Sequence, residues 1–129
     1  MKKKYLIVIA DYYKDIAKGL LSSAKSILPK SSLIKIINVP GVFEIPVTIA
    51  KNIRKYDAFL ALGCVIKGQT PHFDFISHAS TNAIMILSIE NKKPIGNGII
   101  TCLNMKQAII RKKKGREAAK AVISVLSQE

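Results

Sequence analysis

Carboxylates are scarce in this sequence. Eight Asp and Glu stand against 21 Lys and Arg, a formal charge of +13 over 129 residues. Such an excess invites a nucleic-acid reading, since basic surface neutralises phosphates. Arginine is nearly missing too, however: only Arg54, Arg111 and Arg116 occur, the rest being lysines expected over every polar face. Charge of that kind speaks to non-specific association, so no nucleic-acid partner is expected. Long apolar runs are also lacking. None approaches the roughly 18 residues of a membrane span, so no membrane partner is expected either. The start, MKKKYLIVIAD, has the outline of an export signal, but its apolar run ends at Asp11. That is shorter than the roughly 7–15 residues such signals need, and no small-residue cleavage site follows. It reads as the first strand of a cytoplasmic protein. The two cysteines, Cys64 and Cys102, lie in or beside apolar runs; without export they read as buried thiols rather than a disulfide.

Recognisable cofactor motifs are absent as well. His72 and His78 make no HxxxH pair, no CxxC occurs, and no carboxylates cluster at ligand spacing, so no metal is expected. Neither GxGxxG nor a Walker sequence is present, which leaves a nucleotide cofactor without direct support. There are no repeats, low-complexity tracts or linkers. A chain of this length without them is one domain, spanning residues 1–129.

What the sequence does contain is a regular alternation. Tyr5–Ala10, Leu33–Val39, Asp57–Val65 and Pro94–Thr101 are apolar, β-branched runs of strand length. Between the first two, Ile16, Ala17, Leu20, Leu21, Ala24, Ile27 and Leu28 recur at helical spacing before Pro29. Pro46 suits only a helix's first turn, so a second helix is expected from near Glu44 to about Lys55. Ile76, Ala79, Ala83, Ile86 and Leu87 mark a third. Asn104 can cap a helix starting near Met105, Lys112–Gly115 interrupts it, and Arg116–Leu126 forms a last one. Gly96 and Gly98 predict close backbone approach rather than ideal pairing in the fourth strand. Strands alternating with helices imply a four-stranded parallel sheet in a three-layer α/β/α sandwich, flavodoxin-like. The loops at 11–13, 40–44, 66–72 and after Ile100 then share the functional edge of the sheet.

The richest of these loops lies within Gly63–Phe73, GCVIKGQTPHF. It follows a buried strand and precedes a helix, and it carries a cation, a glycine, a threonine and a histidine. Imidazole both accepts and donates protons near neutral pH. Gly68, Gln69 and Thr70 can offer backbone N–H groups and a hydroxyl at a helix start, an anion cradle. Together they suggest acid/base chemistry on a phosphorylated substrate, with a plain loop histidine as the competing reading. Cys64 reads as an inert buried thiol in preference to a nucleophile, and His78 as a surface or interface residue.

Three segments, VPGVFEIP (39–46), YDAFLALGCVIKGQTPHFDF (56–75) and GIIT-x(5)-QAIIR (98–111), carry a specific resemblance. In this order and spacing the sequence resembles the 6,7-dimethyl-8-ribityllumazine synthases across nearly its whole length. That family joins 5-amino-6-(D-ribitylamino)uracil to 3,4-dihydroxy-2-butanone 4-phosphate, losing phosphate and water, with no metal or organic cofactor. The resemblance implies that His72 shuttles protons, and that Gln69, Thr70 and Arg111 hold the substrate phosphate. It implies that Tyr12 stacks on the pyrimidine, and that Val42, Phe43, Glu44, Cys64, Val65 and Ile66 embrace the ring and ribityl chain. Asn97 and Arg111 match residues supplied by a neighbouring subunit. A homopentamer is implied, with a decamer or sixty-subunit shell as further assemblies and riboflavin synthase as the downstream partner.

The sequence departs from the family at several points. Tyr13 stands where Asn often follows the aromatic residue, and Asn97 where many members have Phe. The segment after Arg111 is shortened to Lys112–Lys114, so that Lys114 matches a family lysine only in part; a solvated helix end accounts for this triplet equally well. Glu44 at a helix start can simply complement the helix dipole. The chain begins almost at its first strand, without the N-terminal extension many members carry, which favours a free pentamer over a shell. A non-catalytic flavin carrier of the same fold and a basic nucleic-acid-binding protein are the competing functions.

Overall fold

The apolar, β-branched runs form a parallel sheet whose edge of carboxyl ends gathers the chemistry-bearing loops. The computed structural model describes residues 2–69 and 71–128. Strands β1 (Lys4–Ala10), β2 (Leu33–Val39), β3 (Ala58–Ile66) and β4 (Ile95–Cys102) are all parallel, in the order β2-β1-β3-β4. Five helices complete the described chain: α1 (Lys14–Lys25), α2 (Ile45–Lys51), α3 (His72–Asn91), α4 (Met105–Arg111) and α5 (Gly115–Leu126). The flavodoxin-like three-layer arrangement is the one the alternation predicts.

Side-chain alternation in the central strands divides the core in two. Tyr5, Ile7 and Ile9 of β1, with Leu60 and Leu62 of β3, face Ile16, Leu20 and Ala24 of α1 and Ala118, Ala119 and Val122 of α5. Leu6, Val8, Phe59 and Ala61 face the opposite way, against Ile45 and Ile49 of α2 and Ile84 of α3. Small residues bring α5 close to β4. A methyl group on Gly96 would run into the Ala118 carbonyl oxygen, and one on Gly98 would sit 2.5 Å from Leu62 Cδ2. The close approach is as expected, but ideal pairing is not given up for it: β4 keeps continuous register with β3 through both glycines, Gly96 opposite Leu60 and Gly98 opposite Leu62.

Several boundaries differ from the sequence reading. The second helix does not extend to Lys55: α2 stops at Lys51, where Asn52 Nδ2 donates to the Thr48 carbonyl at 2.8 Å and the chain continues in i→i+3 turns. Its entry is a 3-10 turn over Val42–Glu44. α1 likewise ends at Lys25, short of Ile27 and Leu28, as Ser26 Oγ donates back to the Ser23 carbonyl at 2.8 Å. On α3 the inward stripe is Ile76, Ser80, Ala83, Ile84 and Leu87, spaced by three and four. Ala79 and Ile86 fall instead on a second stripe with Phe75 and Ile89, which is exposed. A helix apolar on two faces is the pattern of one buried all round. Among the described residues no helix is long and apolar enough to cross a membrane.

The lysines are not spread evenly. Helices α1, α4 and α5, with the connection at 112–114, carry Lys14, Lys18, Lys25, Lys106, Arg111, Lys112, Lys113, Lys114, Arg116 and Lys120 against two carboxylates, Asp15 and Glu117. Helices α2 and α3 carry Lys51 against Asp74 and Glu90. Their connections add Arg54, Lys55, Lys92 and Lys93 against Asp57, so one outer layer is strongly basic and the other only slightly so.

Candidate active site

In an open parallel sheet, the crevice forms where successive crossovers leave a strand in opposite directions. Here that point lies between β1 and β3, since β1 is flanked by β2 on one side and β3 on the other. A cavity of ≈ 630 Å³ opens there. It is lined by Tyr12 and Tyr13 after β1, Gly41–Glu44 after β2, Cys64–Ile66 at the end of β3, and His72 and Ile76 of α3. Residues that follow three different strands thus meet in one concave site.

Each wall has a local reason for its position. Asp11, just after β1, is tied to the end of β2 twice: its N–H donates to the Val39 carbonyl at 3.2 Å, and its carboxylate accepts from Asn38 Nδ2 at 3.1 Å. The second wall turns through Pro40-Gly41 into the 3-10 turn. Its Val42 is buried, whereas Phe43 is exposed and presents its ring to the cavity mouth. Gly63 makes room beneath, since a methyl group there would lie 2.8 Å from Val42 Cγ2. Thr48 Oγ1 donates to the Glu44 carbonyl at 2.8 Å, fastening the turn to α2. His72 is the first residue of α3, after Pro71, and is exposed on the cavity side.

The thiol of Cys64 is not an activated nucleophile. Burial, followed by the neighbouring Cys102, pushes its pKa from 9.0 to about 12. It is a neutral wall group at working pH, as the inert reading expects. The Tyr13 phenol is also held above its ordinary value, first by burial and then by Cys64 and Tyr12, so it remains protonated.

Of the residues singled out in the sequence, Tyr12, Val42, Phe43, Glu44, Cys64, Val65, Ile66 and His72 all line this cavity. Gln69 is exposed in the loop before α3 and outside the lining, and Thr70 lies outside the described residues. Asn97 sits on β4 with its Oδ1 accepting from the Ile99 N–H at 3.0 Å, away from the cavity. Arg111 ends α4 and donates from Nη1 to the Thr101 carbonyl at 3.1 Å, beside the end of β4 but also outside the lining. Lys114 pairs with Glu117 at 3.3 Å at the α4–α5 junction, and it too is not part of the cavity. His78 is exposed on α3. The lining adds Gly41, Tyr13 and Ile76. Gly41 belongs to the predicted turn and Ile76 to the predicted helix face; Tyr13 stood out in the sequence only as a departure.

A family model described as 6,7-dimethyl-8-ribityllumazine synthase matches residues 2–129. The chain belongs to this family. A 6,7-dimethyl-8-ribityllumazine synthase of Agrobacterium fabrum is 40% identical over 140 residues, covering 98% of this chain and 95% of the relative. Those of Methylorubrum populi and Bartonella bacilliformis are 41% and 42% identical, covering 96% and 95% of this chain and 81% and 87% of the relatives. The motifs that carry the lumazine synthase resemblance, at 39–46 and 56–75, are also the segments that build the second and third walls of the cavity.

Proposed function

We propose that the protein condenses 5-amino-6-(D-ribitylamino)uracil with 3,4-dihydroxy-2-butanone 4-phosphate to 6,7-dimethyl-8-ribityllumazine in riboflavin biosynthesis. The observation that carries this reading is the cavity between β1 and β3, walled by the segments that bear the family's motifs. Tyr12 and Phe43 offer aromatic faces for the pyrimidine, and Val42, Cys64, Val65 and Ile66 supply an apolar wall. The pyrimidine amine adds to the ketone and water leaves to give an imine. Phosphate is then eliminated, the enol left behind becomes a carbonyl, and the second nitrogen adds to it and expels a second water to close the ring. Protons move at each step, and His72 at the cavity's edge is the group to carry them. Holding two reactive partners in register accounts for most of the acceleration, with no metal or organic cofactor required.

The phosphate anchor is Arg111, whose guanidinium fork matches a phosphate dianion better than an ammonium does, and the family resemblance gives Gln69 and Thr70 the same ligand. Arg111 and Asn97 lie outside this chain's own cavity, which supports their reaching the site of a neighbouring copy. The exposed stripe of α3, with Phe75 at 68%, Ile86 at 54% and Ile89 at 65% exposure, supports the same conclusion, because apolar area of that extent marks an interaction surface. We assign the working form as a homopentamer, open to pairing into a decamer or a larger shell, in the cytoplasm, with riboflavin synthase downstream.

Incubation with both substrates, following lumazine fluorescence and phosphate release, tests the reaction. A rate no greater than that without protein sinks it and favours a flavin carrier of the same fold. Arg111→Ala is expected to raise KM for the phosphorylated substrate; an unchanged KM removes Arg111 from the site. His72→Ala should lower kcat on the order of 10²-fold, with the assembly intact by sedimentation.

A further inference from the structure

Tyr12 and Tyr13 are adjacent in sequence but held very differently. Tyr12 is 74% exposed at the cavity mouth, and an exposed side chain changes rotamer within picoseconds to nanoseconds. Tyr13 is half-buried, packs against the core cluster that contains Ile16, Leu20 and Cys64, and lines the same cavity. Its backbone is fixed as the residue preceding α1, extended at φ −102 and ψ 95, with its carbonyl accepting the Ala17 N–H at 2.9 Å. Asp11, immediately before the pair, is tied to β2 through both its N–H and its carboxylate. The two rings meet edge to face, with centroids 4.9 Å apart and planes at 85°.

We propose that Tyr13 is a positioning residue: its core-anchored ring holds Tyr12 and sets the face that Tyr12 presents to a planar heterocycle in the cavity. The proposal rests on the lumazine synthase reading of this site. Edge-to-face pairs contribute beyond the area they bury, and here that contribution is spent on orientation, because one ring is anchored and the other is not.

The test is a double-mutant cycle on binding of 6,7-dimethyl-8-ribityllumazine, read by its fluorescence and independent of turnover. Tyr13→Leu is expected to weaken binding about two- to tenfold, and Tyr13→Phe, which keeps the ring, to restore most of that loss. On a Tyr12→Ala background, Tyr13→Leu should add nothing, because Tyr13 acts through Tyr12; a fully additive loss overturns the proposal. Since Tyr13 also touches the core, a second measurement uses the stable Tyr13→Phe protein. Ring-labelled tyrosine NMR should show Tyr12 resonances displaced by the neighbouring ring, and random-coil shifts there would likewise overturn it. If the unmodified protein does not bind the lumazine at all, the functional reading fails, while the NMR arm still decides the ring pair.

Discussion

Replacing Gly96 by Ala places a methyl group against the Ala118 carbonyl oxygen and 2.7 Å from Leu60 Cδ2. The leucine can turn away. The carbonyl cannot, because it belongs to the backbone of α5, which buries Ala118, Ala119 and Val122 against the sheet. Relief requires α5 to move off β4, opening gaps around those three side chains as it does so. Overpacking of a rigid core costs about 1–3 kcal/mol, and the backbone partner puts Gly96→Ala at the upper end, about 3 kcal/mol. For a chain of this size that corresponds to a fall in Tm of roughly 10 °C. Urea or thermal unfolding at fixed protomer concentration measures it, since assembly would otherwise shift the apparent stability. Gly68→Ala serves as the control: nothing lies within 4 Å of a methyl group there, and its midpoint should move by less than a fifth as much. Equal midpoints for the two variants would refute the claim that β4 is held against α5 by the missing side chain.

Three further outcomes follow from the site and its supports. Cys64 should resist iodoacetamide in the folded protein at pH 7.5 and react on unfolding, as followed by mass spectrometry. Its thiol pKa is raised in the fold from 9.0 to about 12, so the folded state holds the proton more tightly. Stability is therefore full below pH 9 and falls as pH rises from 9 towards 12; Cys64→Ala should flatten that slope in pH-dependent urea titrations. Asn104→Ala removes the acceptor of the Gln107 N–H, 2.9 Å away at the start of α4. A loss of about 1 kcal/mol is expected, with a higher KM for the phosphorylated substrate because α4 ends on Arg111.

Much of this architecture is legible in the sequence because apolar, β-branched runs of strand length leave little room for ambiguity, even at the edge of the sheet. Leu33–Val39 falls on the predicted boundaries, and Asn104 caps the helix it was expected to cap. Helix ends were less legible, since side chains such as Asn52 and Ser26 close them with local hydrogen bonds that apolar periodicity does not report. Ala79 and Ile86 misled for a related reason: hydropathy identifies an apolar helix but cannot say which of two apolar stripes meets its own sheet. At the site, two motifs brought seven of the singled-out residues to one cavity, and Tyr12 joins them from the end of β1. The role of Tyr13 depends on a ring-to-ring angle, which no spacing encodes.

The uneven placement of charge has a consequence for how copies of the chain meet. Two molecules that approach through their α1, α4 and α5 faces bring lysine-rich surfaces together, and like charges a few ångströms apart repel. An approach through α2 and α3 meets little of that repulsion and covers Phe75, Ile86 and Ile89. The molecule thus has one face that refuses its own kind by charge and another whose exposed apolar side chains offer acceptance. Salt weakens the refusal far more than the acceptance, because exposed charges are screened and apolar contact is not. High ionic strength is accordingly the condition under which the orientation of self-association would become least selective.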